Sequence, residues 1–251
     1  MKKVLILGGT GEATQLAASS ATIPQIEIIS SLAGRTTNPI SPIGNVRIGG
    51  FGGQTGLTDY IKQMNIDILI DATHPFAAQI SFNAAIATES TNIPRLMLIR
   101  PTWEKLPEDR WIEVDSVESA ATTLKTQAKR VFLTVGKQQL PAFAQLKGIW
   151  FIMRLIELPP TSTALLPPGE FICDRGPFSL PNEREILQKY NIDTIVSKNS
   201  GGDATIAKII AARELGIPVV MVNRPPTPPG ERVSNVNEAF IWLQKKLNND
   251  Y

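Results

Sequence analysis

Lys2-Lys3-Val4-Leu5-Ile6-Leu7-Gly8-Gly9-Thr10-Gly11-Glu12-Ala13 opens the chain and decides its fold. The apolar run Lys3–Leu7 ends in glycines. Residues 11–19 then carry Ala13, Leu16 and Ala17 at helical spacing, so the stretch predicts a strand, a tight turn and a helix. In α/β proteins that turn is where a dinucleotide pyrophosphate sits. Glycines let the backbone approach, and the helix N-terminus offers free N–H groups and a positive dipole. Gly8, Gly9, Thr10, Gly11, Glu12 and Ala13 are therefore the candidate cofactor contacts. The strict G-x-G-x-x-G spacing is not met: counted from Gly9 the third position is Thr14, and counted from Gly8 the second is Thr10. A strand–helix turn with no ligand is the competing reading.

Working outward, a second apolar run spans Ile26–Ile29 and leads into Ser30-Ser31-Leu32-Ala33-Gly34-Arg35. Enzymes that use NADH place an acid at the end of this strand to hold the ribose 2′-hydroxyl. Here the strand end carries no Asp or Glu. Ser30, Ser31 and the Arg35 guanidinium are groups that suit a 2′-phosphate, so NADPH is expected rather than NADH. A solvated loop charge is the alternative for Arg35.

Alternation continues. Asn45–Ile48, Ile66–Ile70 and Ile93–Ile99 read as strands; Thr55–Met64 and Phe76–Thr88 read as helices. Strand and helix in turn predict a parallel sheet covered on both faces. Asp71-Ala72-Thr73-His74-Pro75-Phe76-Ala77 follows the most apolar of these strands, at the carboxyl end where such sheets bind ligands. Asp71 and Thr73 are candidate cofactor contacts, and Thr73 and His74 candidate catalytic groups. His74, the single histidine, can donate a proton near neutral pH. The plainer reading is that Asp71 or Thr73 caps a helix and His74 packs.

The pattern then restarts. Strands are expected at Trp111–Val114, Arg130–Val135, Trp150–Ile156, Thr194–Ser197 and Val219–Val222. Helices are expected at Val117–Gln127, Asn182–Tyr190, Ala204–Leu215 and Val236–Leu247, with Arg224–Gly230 as a rigid Pro-rich connection. This gives two α/β domains, residues 1–110 and 111–251, with a cleft between them; their mutual similarity is too weak for a sequence repeat. In the second half, Ser197-Lys198-Asn199-Ser200-Gly201-Gly202 and Thr134-Val135-Gly136-Lys137 repeat the strand–glycine logic as anion-friendly loops. Arg100, Arg154, Arg175 and Arg224 fall at or near strand ends and together suit a substrate rich in carboxylates.

Composition narrows the classes. A net charge of +2 lacks the concentrated basic character of a nucleic-acid binder. No stretch approaches the ~20 apolar residues of a membrane span. A single Cys excludes an internal disulfide, and with one His it gives no ordinary zinc site, so no metal is expected. These features fit a cytoplasmic protein; oligomeric state is not legible. Walker, G-x-S-x-G and Tyr-x-x-x-Lys patterns are all missing.

Taken in order, Ile6–Ala13, Ser31–Arg35, Asp71–Ala77, Arg100-Pro101-x-Trp103, Arg175-Gly176-Pro177-Phe178, Ser197–Gly202 and Leu215-Gly216-Ile217-Pro218-Val219-Val220-Met221-Val222-x-Arg224-Pro225 resemble the precorrin-6A reductase family, in its metal-free or cobalt form. The likeness covers nearly the whole chain; Val135 stands where that family commonly has a second Thr. The resemblance implies two Rossmann-like domains, NADPH on the first glycine loop with Ser31 and Arg35 near its 2′-phosphate, and hydride transfer to a tetrapyrrole in cobalamin biosynthesis. On that footing Arg154, Arg175, Lys198, Ser200 and Gly201 are candidate contacts for substrate carboxylates. The alternatives are another small-metabolite reductase on the same fold and a non-catalytic NADPH sensor.

Overall fold

The computed structural model describes residues 1–34, 42–158 and 165–248. The chain divides into two compact units, Met1–Pro101 with Pro225–Tyr251, and Thr102–Arg224. This corrects the expected division at residue 110, because the C-terminal segment belongs to the first unit.

The first unit contains β1 (Lys2–Leu7), α1 (Gly11–Ser20), β2 (Ile26–Leu32), β3 (Asn45–Ile48), α2 (Gly53–Met64), β4 (Ile68–Asp71), α3 (Ala78–Thr91) and β5 (Arg95–Leu98). Its parallel sheet has the order β3-β2-β1-β4-β5 plus one more strand. Side chains alternate across the sheet. Val4 and Ile6 join Leu16 and Ala17 of α1 on one face; Leu5 and Leu7 join Leu57 and Ile61 of α2 and Ala84 and Ala87 of α3 on the other. Asn65 and Asn92 end α2 and α3 in the left-handed conformation that Asn tolerates.

The second unit contains β6 (Trp111–Val114), α4 (Val117–Leu124), β7 (Arg130–Leu133), β8 (Trp150–Leu155), β9 (Gly169–Cys173), α5 (Leu180–Lys189), β10 (Thr194–Lys198), α6 (Ala207–Glu214) and β11 (Val219–Val222). Ser116 and Ser179 cap α4 and α5 by accepting from the N–H three residues on. The sheet order is β9-β8-β7-β10-β11-β6, all parallel. Helices α5 and α6 cover one face through Ile186, Leu187, Ile209 and Ala212, packed on Phe132, Ile152, Ile195 and Met221. On the other face α4 meets a 3-10 segment, Lys137–Phe143, whose Phe143 stands edge-on to Phe151 at 6.2 Å.

After Arg224 the chain adds β12 (Glu231–Val233) and α7 (Val236–Asn248) to the first unit. Strand β12 pairs in parallel with β5, and α7 buries Ala239, Trp242 and Leu243 against α1 and its core. Apolar burial is what assigns this helix to the first unit. Each sheet therefore has the 3-2-1-4-5-6 order of nucleotide-binding α/β proteins. The sixth place is filled from the C-terminal segment in the first unit, and by β6, the unit's earliest strand, in the second.

Candidate active site

In such a sheet the loops after strands 1 and 4 part in opposite directions and leave a crevice at the carboxyl ends. In the first unit these are Gly8–Thr10 and Ala72–Ala77, both singled out from sequence. Thr10 joins them: its Oγ1 donates to the Ala72 carbonyl at 2.8 Å and accepts from the Ala13 N–H at 3.1 Å, capping α1. Gly8 is a packing glycine. A Cβ there would lie 3.4 Å from Ala13 Cβ, and its N–H donates to Ser31 O at 2.9 Å. Gly9 is a conformational glycine, with φ +103° and nothing within 4 Å of where a Cβ would stand. Gly11 begins the helix.

Glu12 lies in the first turn of α1, where Arg100 Nη1 reaches both its carboxylate oxygens at 2.9 Å. Burial pushes the Glu12 carboxyl up, but its own backbone N–H, the charge and hydrogen bonds of Arg100, and Thr10 outweigh that and hold it below the usual carboxylate range. An anion arriving at this helix end therefore meets a neutralised pair and not a bare negative charge.

Asp71 is 3% exposed, and its Oδ1 accepts from both the N–H and the hydroxyl of Thr73, at 3.1 and 2.6 Å. Direct cofactor contact by Asp71, as expected from sequence, does not suit this burial; the residue fixes Thr73. Because the Thr73 hydroxyl donates inward, its lone pairs face away from Asp71. His74 is exposed, and its Nδ1 accepts from the Phe76 N–H at 3.2 Å. That bond assigns the neutral ring's proton to Nε2, a donor.

At the end of β2, Ser30 is buried and its hydroxyl has no partner among the described residues. Ser31 Oγ accepts from Arg47 Nη1 at 3.3 Å. Arg35 lies outside the described residues. Arg47, on β3, was not singled out from sequence. A four-residue strand does not reveal which side chain leans on its neighbour, although the run Arg47-Ile48-Gly49-Gly50-Phe51-Gly52-Gly53 is a second glycine-rich signal.

The second unit places Thr134–Gly136 and Asn199–Gly202 at the equivalent position, after β7 and β10. Thr134 Oγ1 donates to Val196 O at 2.9 Å. The loop carrying Lys198, Ser200 and Gly201 is held by side chains. Asn199 is 8% exposed; its Oδ1 accepts from Trp103 N–H at 2.9 Å and its Nδ2 donates to Trp103 O at 3.2 Å. Trp103 Nε1 donates to Gly202 O at 2.9 Å, while Arg224 donates to Asn199 O and Ser200 O, each at 2.9 Å. Arg224 thus clamps backbone instead of standing out as a free substrate contact. Gly201 and Gly202 take positive φ, +65° and +77°. Arg175 is exposed, on a turn pressed against this loop: Phe178 N–H donates to Ala204 O at 3.0 Å.

Arg154 departs from the expectation of substrate contact. Its side chain is 4% exposed, bonded to the fully buried Glu183 and lodged between the rings of Phe178 (3.5 Å) and Phe132 (4.9 Å). It supports the Arg175 turn from within. Lys208, also missed from sequence, is buried beside the same group; its Nζ donates to Thr205 O at 2.9 Å and lies 4.9 Å from the Trp103 ring. Nothing in an amphipathic helix pattern marks a lysine on the core face. Among the described residues no cluster of three or more His, Cys, Asp or Glu side chains could hold a metal, and no helix is long and apolar enough to cross a membrane.

Residues 3–244 match the family model described as precorrin-6x reductase CbiJ/CobK. The chain is 46% identical to the precorrin-6A reductase of Rhodococcus erythropolis, covering 97% of this chain and 98% of the relative. It is 26% identical to the cobalt-precorrin-6A reductase of Synechocystis sp., covering 97% of each. A solved structure titled CobK precorrin-6A reductase superposes with a TM-score of 0.90 at 39% identity, covering 98% of this chain and 97% of that one. A full-length family match, high identity and the same two-sheet architecture lead to one conclusion: the chain belongs to the precorrin-6x reductase CbiJ/CobK family, oxidoreductases of cobalamin biosynthesis.

Proposed function

We propose that this protein reduces precorrin-6A to precorrin-6B with NADPH, the first unit holding the cofactor and the second the substrate. The observation that carries the reading is the hydrogen bond from Thr10 Oγ1 to Ala72 O, which ties the glycine turn to the Asp71–Ala77 loop at the carboxyl ends of β1 and β4. The residues fit a dinucleotide: Gly9 leaves open space over the turn, and α1 presents its N-terminus there. The cofactor supplies a hydride to an unsaturated carbon of the macrocycle. Gly8 to Ala13 cradle the pyrophosphate, and Ser31 with Arg35 receives the 2′-phosphate. Thr73, oriented by Asp71, would hold the nicotinamide, and His74 on the same loop would offer its Nε2–H as the proton that accompanies the hydride. Arg175, Lys198, Ser200 and Gly201 receive substrate carboxylates through charge-assisted and backbone hydrogen bonds.

The metal-free substrate is the better fit, because identity to the precorrin-6A reductase above far exceeds that to the cobalt-precorrin enzyme. Purified protein mixed with NADPH and precorrin-6A, followed by absorbance, is expected to turn over, and faster than with the cobalt form. NADPH binding without turnover of either substrate would make the protein a sensor and refute the proposal. Faster turnover of the cobalt form would reverse the substrate assignment. His74→Ala is expected to lower turnover with little change in NADPH affinity; unchanged turnover across pH would remove His74 from the reaction.

A further inference from the structure

We infer that Arg47 reads the 2′-phosphate of the cofactor, acting with Ser31 to select NADPH over NADH. The inference rests on the NADPH reading above and deepens it by naming a further side chain that discriminates between the two cofactors. Strands β2 and β3 run side by side with Ser31 opposite Arg47, so both side chains stand at the carboxyl end of the sheet, where the adenosine ribose of a dinucleotide lies.

The state of the guanidinium is what points to an anion. Its acceptors are Ser31 Oγ, Gly49 O and Gly50 O, all uncharged. No carboxylate among the described residues lies within ion-pair distance of it. A guanidinium has five N–H donors, and these bonds use three, leaving two for a ligand. The group is also immobilised: it stacks 3.8 Å above the Phe51 ring centroid and 5.2 Å from that of Tyr60. A fixed, un-neutralised guanidinium is pre-organised for a phosphate, because little side-chain freedom is left to lose on binding. The surrounding backbone keeps its bulk low. Gly49, whose carbonyl accepts from Arg47, takes φ +121° and has nothing within 4 Å of its Cβ position.

The competing role is purely structural, with Arg47 serving only to fold the Gly49–Gly53 loop. Calorimetric titration of the full chain with 2′,5′-ADP and with 5′-AMP, which lacks only the 2′-phosphate, separates the two. Wild type is expected to prefer 2′,5′-ADP. Arg47→Ala is expected to weaken 2′,5′-ADP by about 10- to 100-fold, the worth of one charged hydrogen-bonded contact, and to leave 5′-AMP binding unchanged. Arg47→Lys, which keeps the charge but loses the fork and the stack, is expected to fall between and decides the matter if the Ala variant folds poorly. Equal weakening of both nucleotides overturns the inference in favour of loop support. Unchanged discrimination in both variants overturns it while leaving the NADPH reading intact. No preference in wild type removes the NADPH reading itself, and the inference with it.

Discussion

Lys208→Met is expected to stabilise the protein at neutral pH and to remove one component of its pH dependence. Lys208 is 4% exposed, and its one hydrogen bond among the described residues goes to the Thr205 carbonyl. Burial, reinforced by the nearby charge of Arg154 and only partly opposed by Glu183, pushes the ammonium from its ordinary 10.5 down to about 7. The unfolded chain holds this proton up to about pH 10.5, whereas the folded chain releases it near pH 7. Between those values the unfolded state binds more protons, so stability rises with pH. At 1.36 kcal/mol per tenfold, the whole difference is on the order of 5 kcal/mol, and about 2 kcal/mol of it falls between pH 7 and 9. Met keeps the unbranched stem and removes the charge. Urea unfolding of wild type and variant at both pH values should show Lys208→Met more stable at pH 7, with the gap narrowing by about 2 kcal/mol at pH 9. A gap of the same size at both pH values would mean that Lys208 stays protonated throughout, and the burial argument would fail.

Three further outcomes follow from the geometry. Gly9→Ala places a Cβ at φ +103°, costing on the order of 1–2 kcal/mol locally, and puts it where a phosphate would approach. NADPH affinity by fluorescence titration should drop more than about tenfold while the far-UV spectrum is kept, and an unchanged affinity would place the pyrophosphate elsewhere. Glu183→Ala leaves Arg154 buried without its carboxylate and should cost about 3–5 kcal/mol in denaturant; the double change Arg154→Met with Glu183→Leu should recover most of that loss. Failure of the double variant to recover would show that the pair does more than neutralise itself. Asn199→Ala removes two hydrogen bonds to Trp103 and should raise KM for the tetrapyrrole while KM for NADPH stays as it was; a matched rise in both would detach this loop from substrate binding.

Much of the fold was legible because strands covered on both faces must be apolar along their length. Val4 to Leu7 and Val219 to Val222 cannot be read otherwise, and the structure ends β6 and β11 where the sequence does. The edges were harder. Strand β9 is Gly169-Glu170-Phe171-Ile172-Cys173, a half-exposed strand with no apolar run, and Gly169 is there because a Cβ would fall 1.8 Å from Phe151 O. Strand β12 has three residues, two of them charged, and exists only because β5 offers an open edge. The boundary at residue 110 failed for the same reason: local pattern cannot say to which sheet a C-terminal helix returns. At the site, glycine turns announced themselves through composition. The side chains that hold them did not, since Asp71, Asn199 and Arg154 look alike in sequence whether they face a ligand or a neighbour. Burial separates those roles, and burial belongs to the tertiary structure.

The two sheets share a strand order, yet their switch-point loops are built by opposite means, and the difference fits the ligands proposed for each. In the first unit the turn after β1 is nearly bare backbone: Gly8 lets β2 and α1 close in, and Gly9 leaves open space where a Cβ would stand. A diphosphate needs backbone donors at short range and few side chains. In the second unit the loop after β10 is gripped by Asn199, Trp103 and Arg224, and the Arg175 turn is wedged against it by an Arg154 core. On the proposed reading this loop receives substrate carboxylates, and carboxylates on flexible side chains do not fix the orientation of a macrocycle by themselves. Cationic and hydroxyl groups that receive them must therefore be held in place from below, and a small positional error there costs rate at the reacting carbon. On the proposed reading, the buried Arg154–Glu183–Lys208 group would supply from the protein interior the rigidity that the substrate's side chains lack.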